Sequence, residues 1–140
     1  MAIRLQSVSA EAFAPFGSVL EFPPDCSDAF HIVVKEPEQP WRLAVFRYTN
    51  REISVMENHP ASMESFEPLS GVTVLLVAEH NSPDACSAFL LDKPVCLGKG
   101  IWHQVLSLTP EAQVKIAENM DVNSEFHTLA KPVFAALTEE

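Results

Sequence analysis

The sequence predicts an all-β fold, a barrel or double-sheet roll built from short strands. Segments rich in apolar residues, several of them alternating with polar ones, recur at intervals of roughly ten residues. The 11 Pro and 4 Gly residues separate many of those segments. A clear helix pattern appears once before the C-terminal tail. The chain has 140 residues, so we expect one domain over 1–140.

The first element is a short helix in the stretch SAEAFAPFG. Ser9 is a suitable N-cap, Glu11 favours the positive N-terminal end, and Gly17 is expected to stop the helix. The loop PPDCSD follows soon after. We predict strands in four segments of this half of the chain, which are SVLEF (18–22), AFHIVVK (29–35), WRLAVFRY (41–48) and REISVMENH (51–59).

The second half continues the strand pattern. VTVLLVAEH (72–80) is the most apolar run and is rich in Val, which is typical of a central strand. Further strands are predicted in CSAFLL (86–91), KPVCLG (93–98), IWHQVLSL (101–108) and AQVKIAENM (112–120). The tail KPVFAALTEE (131–140) is expected to form a turn or two of helix.

Composition restricts the partners and the compartment. A formal net charge of -10 disfavours nucleic acid and anionic membrane surfaces, but a small anion can still bind in a locally positive pocket. The N-terminus lacks the apolar region of a signal peptide, and no apolar run approaches the ~20 residues of a membrane span. The three cysteines have no paired spacing, so we expect buried apolar thiols. These features predict a cytoplasmic protein.

The candidate functional residues lie in two blocks of the sequence. Glu57 and His59 are two residues apart, so on a strand they share a face, and Glu64 follows after a bend at PASM. His103 comes just after the turn that GKG permits. Two imidazoles and two carboxylates suit a divalent transition metal such as Zn, Mn, Fe or Ni, without choosing among them. No phosphate-binding glycine loop appears, so we expect no organic cofactor.

The spacing of these blocks resembles that of the cupins. Gly98 and Ser107 stand where the second cupin motif usually has Pro and Asn. The resemblance implies a cupin-like β-barrel, also called a double-stranded β-helix or jelly roll. The positions that match the frame are Glu57, His59, Glu64, Gly71, Gly100 and His103.

A narrower resemblance covers nearly the whole chain. AFAPFG, FHI, ENHP, FEPLSG, AFL and GIWHQVL occur in the order found in the ureidoglycolate lyase family, also called ureidoglycolate hydrolase. The resemblance implies a carbon–nitrogen lyase of allantoin and purine breakdown that releases urea and glyoxylate from ureidoglycolate. This chain departs from the family where Leu97, Gly98 and Gln104 replace typical aromatic or imidazole side chains, and where Glu64 replaces Gln.

The reaction implies roles for particular residues. His59 and His103 are the candidate acid–base groups, with Glu57 as their partner. Lys99 and His31 are the candidates for binding the substrate carboxylate. Arg42 and Arg47 lie on opposite faces of one strand, so one of them could point into the barrel.

Three other interpretations remain open from the sequence. The chain could be a non-catalytic cupin that binds a small ligand. It could be a metal-dependent cupin that acts on another small carboxylic acid. It could also be a structural homodimer, because cupins commonly pair edge strands.

Overall fold

The computed structural model describes residues 2–139, and nearly half of these residues form two facing sheets. The predicted all-β, double-sheet fold with one short N-terminal helix is thereby confirmed. The elements are β1 (Leu5–Ser7), α1 (Ala10–Phe13), β2 (Gly17–Val19), β3 (Trp41–Tyr48), β4 (Glu52–Asn58), β5 (Glu64–Ser70), β6 (Thr73–Ala78), β7 (Ser87–Leu90), β8 (Val95–Leu97), β9 (Trp102–Ser107), β10 (Ala112–Asn119) and β11 (Glu125–Phe134).

The two sheets differ in size and share no strand. The six-stranded sheet has the order β1-β7-β6-β9-β4-β11, and the five-stranded sheet has the order β2-β8-β5-β10-β3. β1 pairs with β7 in parallel, whereas the other recorded pairs are antiparallel. β6 is buried along its whole length, as its Val-rich sequence predicts.

The N-terminal helix begins where its cap predicts but ends early. The Ser9 hydroxyl oxygen accepts a hydrogen bond from the Ala12 N–H at 3.1 Å, and the helix ends at Phe13. Gly17 does not stop the helix, because it already begins β2. A Cβ at Gly17 would collide with the Cys96 carbonyl on β8, so glycine permits this close strand contact.

The main core lies between the sheets, and a second apolar cluster covers the outer face of the six-stranded sheet. Phe13, Phe16 and Phe89 meet edge to face in the main core. Trp102 belongs to the outer cluster, so it faces away from His103 as alternation predicts.

The exposed His80 and the partly exposed His127 both contact Trp102 on the outer face of the six-stranded sheet. The His80 ring stacks on the Trp102 indole, and its Nδ1 lies 2.9 Å from the Gly100 carbonyl oxygen. His127 Nε2 lies 3.1 Å from an Asp84 carboxylate oxygen. Both rings border the indole because neighbouring strands and the β6–β7 connection bring them to the same face.

Some strand predictions need correction. AFHIVVK (29–35) pairs with no strand among residues 2–139, and Phe30 is 83% exposed, because this stretch lies outside both sheets. β1, β5 and β11 were not predicted as strands. β11 extends to Phe134, and no helix follows it in residues 135–139; Glu140 lies outside the described residues.

Two further sequence expectations can be checked on the described residues. The cysteines are free, but only Cys96 is buried, while Cys26 and Cys86 are partly exposed. No helix in residues 2–139 has the length and hydropathy needed to cross a membrane.

Candidate functional site

Two short rows of polar side chains face each other at one end of the space between the sheets. In the five-stranded sheet, Glu64 is in register with Glu118, which is in register with Arg42. In the six-stranded sheet, Glu57 is in register with His103. Residues in register across antiparallel strands lie on the same face, so each row presents its side chains together.

A backbone hydrogen bond links His59, in the first sequence block, to the second block. Its carbonyl oxygen accepts a hydrogen bond from the Gly100 N–H at 3.0 Å, and Gly100 has a φ of 77°, which glycine adopts without strain. His59 Nδ1 lies 3.2 Å from the Asn123 carbonyl oxygen and 3.1 Å from the Ser124 hydroxyl oxygen. The tight turn before β9 therefore fixes His59 next to His103.

Glu64 lies between the two imidazoles. Its Oε1 atom is 3.1 Å from His59 Nε2 and 3.0 Å from His103 Nε2. Glu57 Oε1 is 3.7 Å from His103 Nε2. His59, Glu64 and His103 are buried, whereas the Glu57 side chain retains 30% of its exposure. The structure thus brings together all four residues predicted as ligands, with Glu57 the most accessible.

In both imidazoles, Nδ1 lies within hydrogen-bond distance of a backbone carbonyl oxygen. His103 Nδ1 lies 3.0 Å from the Ile101 carbonyl oxygen, and His59 Nδ1 faces that of Asn123. A carbonyl oxygen only accepts, so each Nδ1 carries its hydrogen and a neutral ring presents a lone pair at Nε2. A lone pair facing the Glu64 oxygen would be repulsive. While Glu64 is ionised, each ring must therefore be protonated, or a cation must lie among these atoms.

The pKa directions agree with a mutual ion cluster. Burial alone would raise the pKa of Glu64, but hydrogen bonds from His103 and His59 outweigh it and lower the value to about 2. The hydrogen bond to Glu64 raises the pKa of His59. Burial disfavours a charged His103, yet the bond to Glu64 and its charge raise the pKa of that ring as well.

The same side chains also fit a divalent metal ion. Ligand atoms on bonds of about 2.1 Å stand roughly 3 Å apart when they are neighbours around an octahedral ion, close to the Glu64–His distances. Histidine ligands usually donate their second N–H to a carbonyl or carboxylate, as both rings do here. Glu64 Oε1 and His103 Nε2 are buried, and no described atom outside the His59–Glu64–His103 cluster forms a hydrogen bond with either of them.

Two overlapping groups offer ligand atoms within 4.8 Å of one another. The first group is Glu57 with His59 and His103, and the second is His59 with Glu64 and Glu118. His59 belongs to both groups. The donor set of imidazole nitrogens and carboxylate oxygens suits the transition metals named above.

Glu118 and the contact it makes with Arg42 were missed by sequence reasoning. The Glu118 side chain is only 9% exposed, and its Oε1 is 3.9 Å from His59 Nε2. A signal was present, because Val114, Ile116 and Glu118 alternate along β10 and therefore share its core-facing side. A carboxylate on an apolar face indicates a buried polar site.

In the described part of the chain, neither Lys99 nor His31 forms an ion pair or a hydrogen bond with this cluster. The Lys99 ammonium forms an ion pair with Glu36 at 2.8 Å. His31 is exposed on the unpaired extended stretch and lines a shallow surface cavity beside Phe22 and Val33. Their roles in binding substrate stay predictions.

Another open cavity lies beside β4, away from the two histidines. It is lined by Asn50, Glu52, Ile53, Ser54, Val55 and Gln104. This lining offers an acidic side chain and no His, Lys or Arg, so it does not suit a small carboxylate. The paired polar rows, and not this cavity, therefore contain the imidazoles and the arginine that could act on a small carboxylate.

Comparisons with known proteins extend over most of the chain. The sequence model of a family described as ureidoglycolate lyase matches residues 1–134. A ureidoglycolate lyase from Burkholderia cepacia is 33% identical, with 74% of this chain and 71% of the relative covered. A ureidoglycolate lyase from Agrobacterium fabrum is 30% identical, with 74% of this chain and 75% of the relative covered.

Two solved structures that match this chain share little sequence with it. A mutant of oxalate decarboxylase from Bacillus subtilis has a TM-score of 0.47 and 14% identity, covering 65% of this chain and 24% of that chain. A dTDP sugar isomerase from Desulfovibrio desulfuricans has a TM-score of 0.46 and 9% identity, covering 86% of this chain and 82% of that chain.

Proposed function

The chain belongs to the ureidoglycolate lyase family, and from this premise we propose that it releases urea and glyoxylate from ureidoglycolate at the paired polar rows. The observation that carries the proposal is the convergence of His59 and His103 on Glu64, with Glu57 accessible beside them. In this proposal the protein is a carbon–nitrogen lyase whose substrate is a small carboxylate.

The reaction needs two proton transfers, one from the hydroxyl and one to the leaving nitrogen, and no redox partner. Ureidoglycolate carries a hydroxyl, a carboxylate and a urea nitrogen on one carbon. The hydroxyl loses its proton, the carbon–oxygen double bond forms, and the carbon–nitrogen bond breaks with its electron pair going to nitrogen. That nitrogen takes up a proton, which gives urea and glyoxylate. A pair of groups that hold and deliver a proton is therefore sufficient.

The side chains of the cluster suit these two proton transfers. Glu57 is the accessible carboxylate and the proposed acceptor of the hydroxyl proton. His103, at 3.7 Å from Glu57, is the proposed donor to the leaving nitrogen, since its raised pKa favours the protonated ring. The ionised Glu64 carboxylate, shared with His59, balances the charge of the protonated His103 ring. The catalytic residues in this proposal are His59, His103 and Glu57.

A divalent metal is the second form of this proposal, because an imidazole that binds an ion through Nε2 cannot also carry a proton on that atom. Glu57, His59, Glu64 and His103 would hold it, and Glu118 lies close enough to join them. When bound, the ion supplies Lewis-acid polarisation of the hydroxyl and carboxylate oxygens. Zn, Mn, Fe and Ni all suit the mixed nitrogen and oxygen donors.

The test is release of glyoxylate and urea from synthetic ureidoglycolate. We expect the wild-type protein to release both in equal amounts and the His103→Ala variant to lose at least roughly a hundredfold in kcat. His127→Gln is the matched control, because that ring lies on the outer face beside Trp102. Full activity in the His103→Ala variant would refute the assignment.

One observation favours a second function. Glu64 is a buried carboxylate between two imidazoles, which suits a metal-dependent cupin acting on another small carboxylic acid. Metal analysis of the purified protein, combined with the ureidoglycolate assay, separates the two. A stoichiometric transition metal without glyoxylate release favours the second function.

The proposal includes a cytoplasmic homodimer. Trp41, Leu43 and Val45 form an exposed apolar stripe on the outer face of the edge strand β3, which a second copy could cover. Three free cysteines suit a reducing compartment. Sedimentation of the wild-type and Val45→Lys proteins tests the dimer, and a monomeric wild-type protein would contradict it.

A further inference from the structure

The polar row of the five-stranded sheet ends in an arginine. Arg42 Nη2 lies 2.6 Å and Nε lies 3.0 Å from the same oxygen of Glu118. The other Glu118 oxygen faces His59 Nε2 at 3.9 Å. One carboxylate therefore connects the guanidinium to the imidazole cluster, which sets Arg42 at the border of the proposed catalytic groups.

Most of the hydrogen-bonding capacity of Arg42 is unused. A guanidinium has five N–H donors, and two of its nitrogens are directed at Glu118. Its Nη1 atom has no hydrogen-bond partner among the described residues. The Arg42 side chain is 46% exposed, so a ligand can reach it. A planar carboxylate matches the spacing of the free N–H groups.

An anionic substrate needs a fixed positive charge here. Glu57, Glu64 and Glu118 all border the site and would repel a carboxylate. Arg42 stays charged at every physiological pH. The Lys99 ammonium is bound to Glu36 at 2.8 Å and, within residues 2–139, forms no other ion pair.

Below the polar rows, the space between the two sheets is filled by apolar side chains. Ile116 and Ala44 are the next inward-facing pair along β10 and β3, and both pack in the main core. The Phe66 ring contacts the His103 ring at a centroid distance of 5.7 Å. The deeper space between the sheets is therefore unfavourable for a small polar acid, which leaves the space between the guanidinium and the imidazoles as the place where such an acid can bind.

We propose that Arg42, oriented by Glu118, binds the carboxylate of the substrate and selects α-hydroxy acids over their neutral analogues. Arg42 is the binding residue, and Glu118 is a positioning residue that acts through it. This inference rests on the proposed function and deepens it by naming the group that recognises the anion.

A binding measurement tests the inference without turnover. Calorimetric titration with glycolate and with glycolamide compares the acid with its neutral analogue. We expect the wild-type protein to bind glycolate and to bind glycolamide at least roughly tenfold more weakly. The Arg42→Gln variant should lose that preference. Failure of ureidoglycolate turnover would refute the proposed function but would leave this result standing.

Arg47 provides the matched control on the same strand. It occupies an outward position, its side chain is 72% exposed, and its Nε lies 3.9 Å from Glu111. The Arg47→Gln variant removes the same charge from the same strand and should bind glycolate as the wild type does. Equal losses in both arginine variants would indicate a general charge effect and would overturn the inference.

Kinetics separate binding from a structural role. With ureidoglycolate, Arg42→Gln should raise KM roughly tenfold or more with a smaller change in kcat, and Arg42→Lys should recover part of the loss. Glu118→Gln should raise KM less than Arg42→Gln does. An unchanged KM in Arg42→Gln, or a loss that appears in Lys99→Gln instead, would overturn the inference. Melting temperatures within a few degrees of wild type confirm that the variants fold.

Discussion

At the scale of the residue, Glu64 decides the charge of the site. One of its oxygens is shared between His59 and His103, and both rings commit Nδ1 to backbone carbonyls. The carboxylate can stay ionised because two potentially positive rings face it, and the rings can charge because the carboxylate faces them. Neither state would be stable if one partner alone were buried.

This mutual dependence predicts how the stability of the metal-free protein varies with pH. The lowered pKa of Glu64 contributes stability that is full above its ordinary value of 4.5 and lost as pH falls through about 2. The raised pKa values of His59 and His103 contribute stability that is full below 6.5 and lost as pH rises through the folded values. The cluster therefore stabilises the fold most between about pH 4.5 and 6.5.

Thermal unfolding of chelator-treated protein measures this profile. We expect the melting temperature to fall between pH 6 and pH 8.5, and we expect a flatter dependence in the Glu64→Gln variant. An amide carries no charge, so it cannot raise the pKa of either ring by charge attraction. A melting temperature that rises over this interval in the wild type alone would contradict the ion cluster.

At the scale of the element, the strands were predictable where one face is apolar and the other is not. WRLAVFRY, REISVMENH and AQVKIAENM correspond to β3, β4 and β10 within two residues at either end. β5 and β11 were hidden because Pro68 and Pro132 interrupt their sequences, and proline usually marks a loop or an edge. The stretch 29–35 is rich in β-branched residues but has no neighbouring strand, which a local pattern cannot reveal.

Two glycines at the β2–β8 contact give a matched test of packing. At Gly17 a Cβ would collide with the Cys96 carbonyl, whereas at Gly98 the nearest atom to a Cβ would be 3.7 Å away and φ is ordinary. We expect Gly17→Ala to destabilise the protein by about 1–3 kcal/mol and Gly98→Ala to change stability by less than about 0.5 kcal/mol. Urea unfolding of both variants measures the difference. Equal effects would show that the close approach of β2 and β8 is not what selects glycine.

At the scale of the whole molecule, the site was only half predictable. Spacing along the chain identified Glu57, His59, Glu64 and His103, because these residues lie in two compact blocks. Glu118 and its contact with Arg42 belong to the same site through the register of β5, β10 and β3. Register between distant strands depends on the global packing, so no local pattern in one sequence displays it.

Metal binding gives a prediction for the whole fold. An ion held by residues from both sheets binds the folded chain and not the unfolded one, so it stabilises by about 2.7 kcal/mol at a hundredfold excess over its Kd. We expect Mn²⁺ or Zn²⁺ to raise the melting temperature of chelator-treated protein by several degrees. Mg²⁺ should have little effect, because it disfavours imidazole ligands. The shift should vanish in a His103→Ala variant, and a shift that persists there would place the ion elsewhere.

The in-register row of Glu64, Glu118 and Arg42 also limits where the sequence can tolerate an insertion or a deletion. Loss or gain of one residue within β10 would turn Glu118 toward solvent and bring a neighbour such as Ala117 to the site. The loops that flank β10 lie outside this row and can change length without turning its side chains over. Insertions and deletions among homologues should therefore collect in those loops, while the length of the strand itself stays constant.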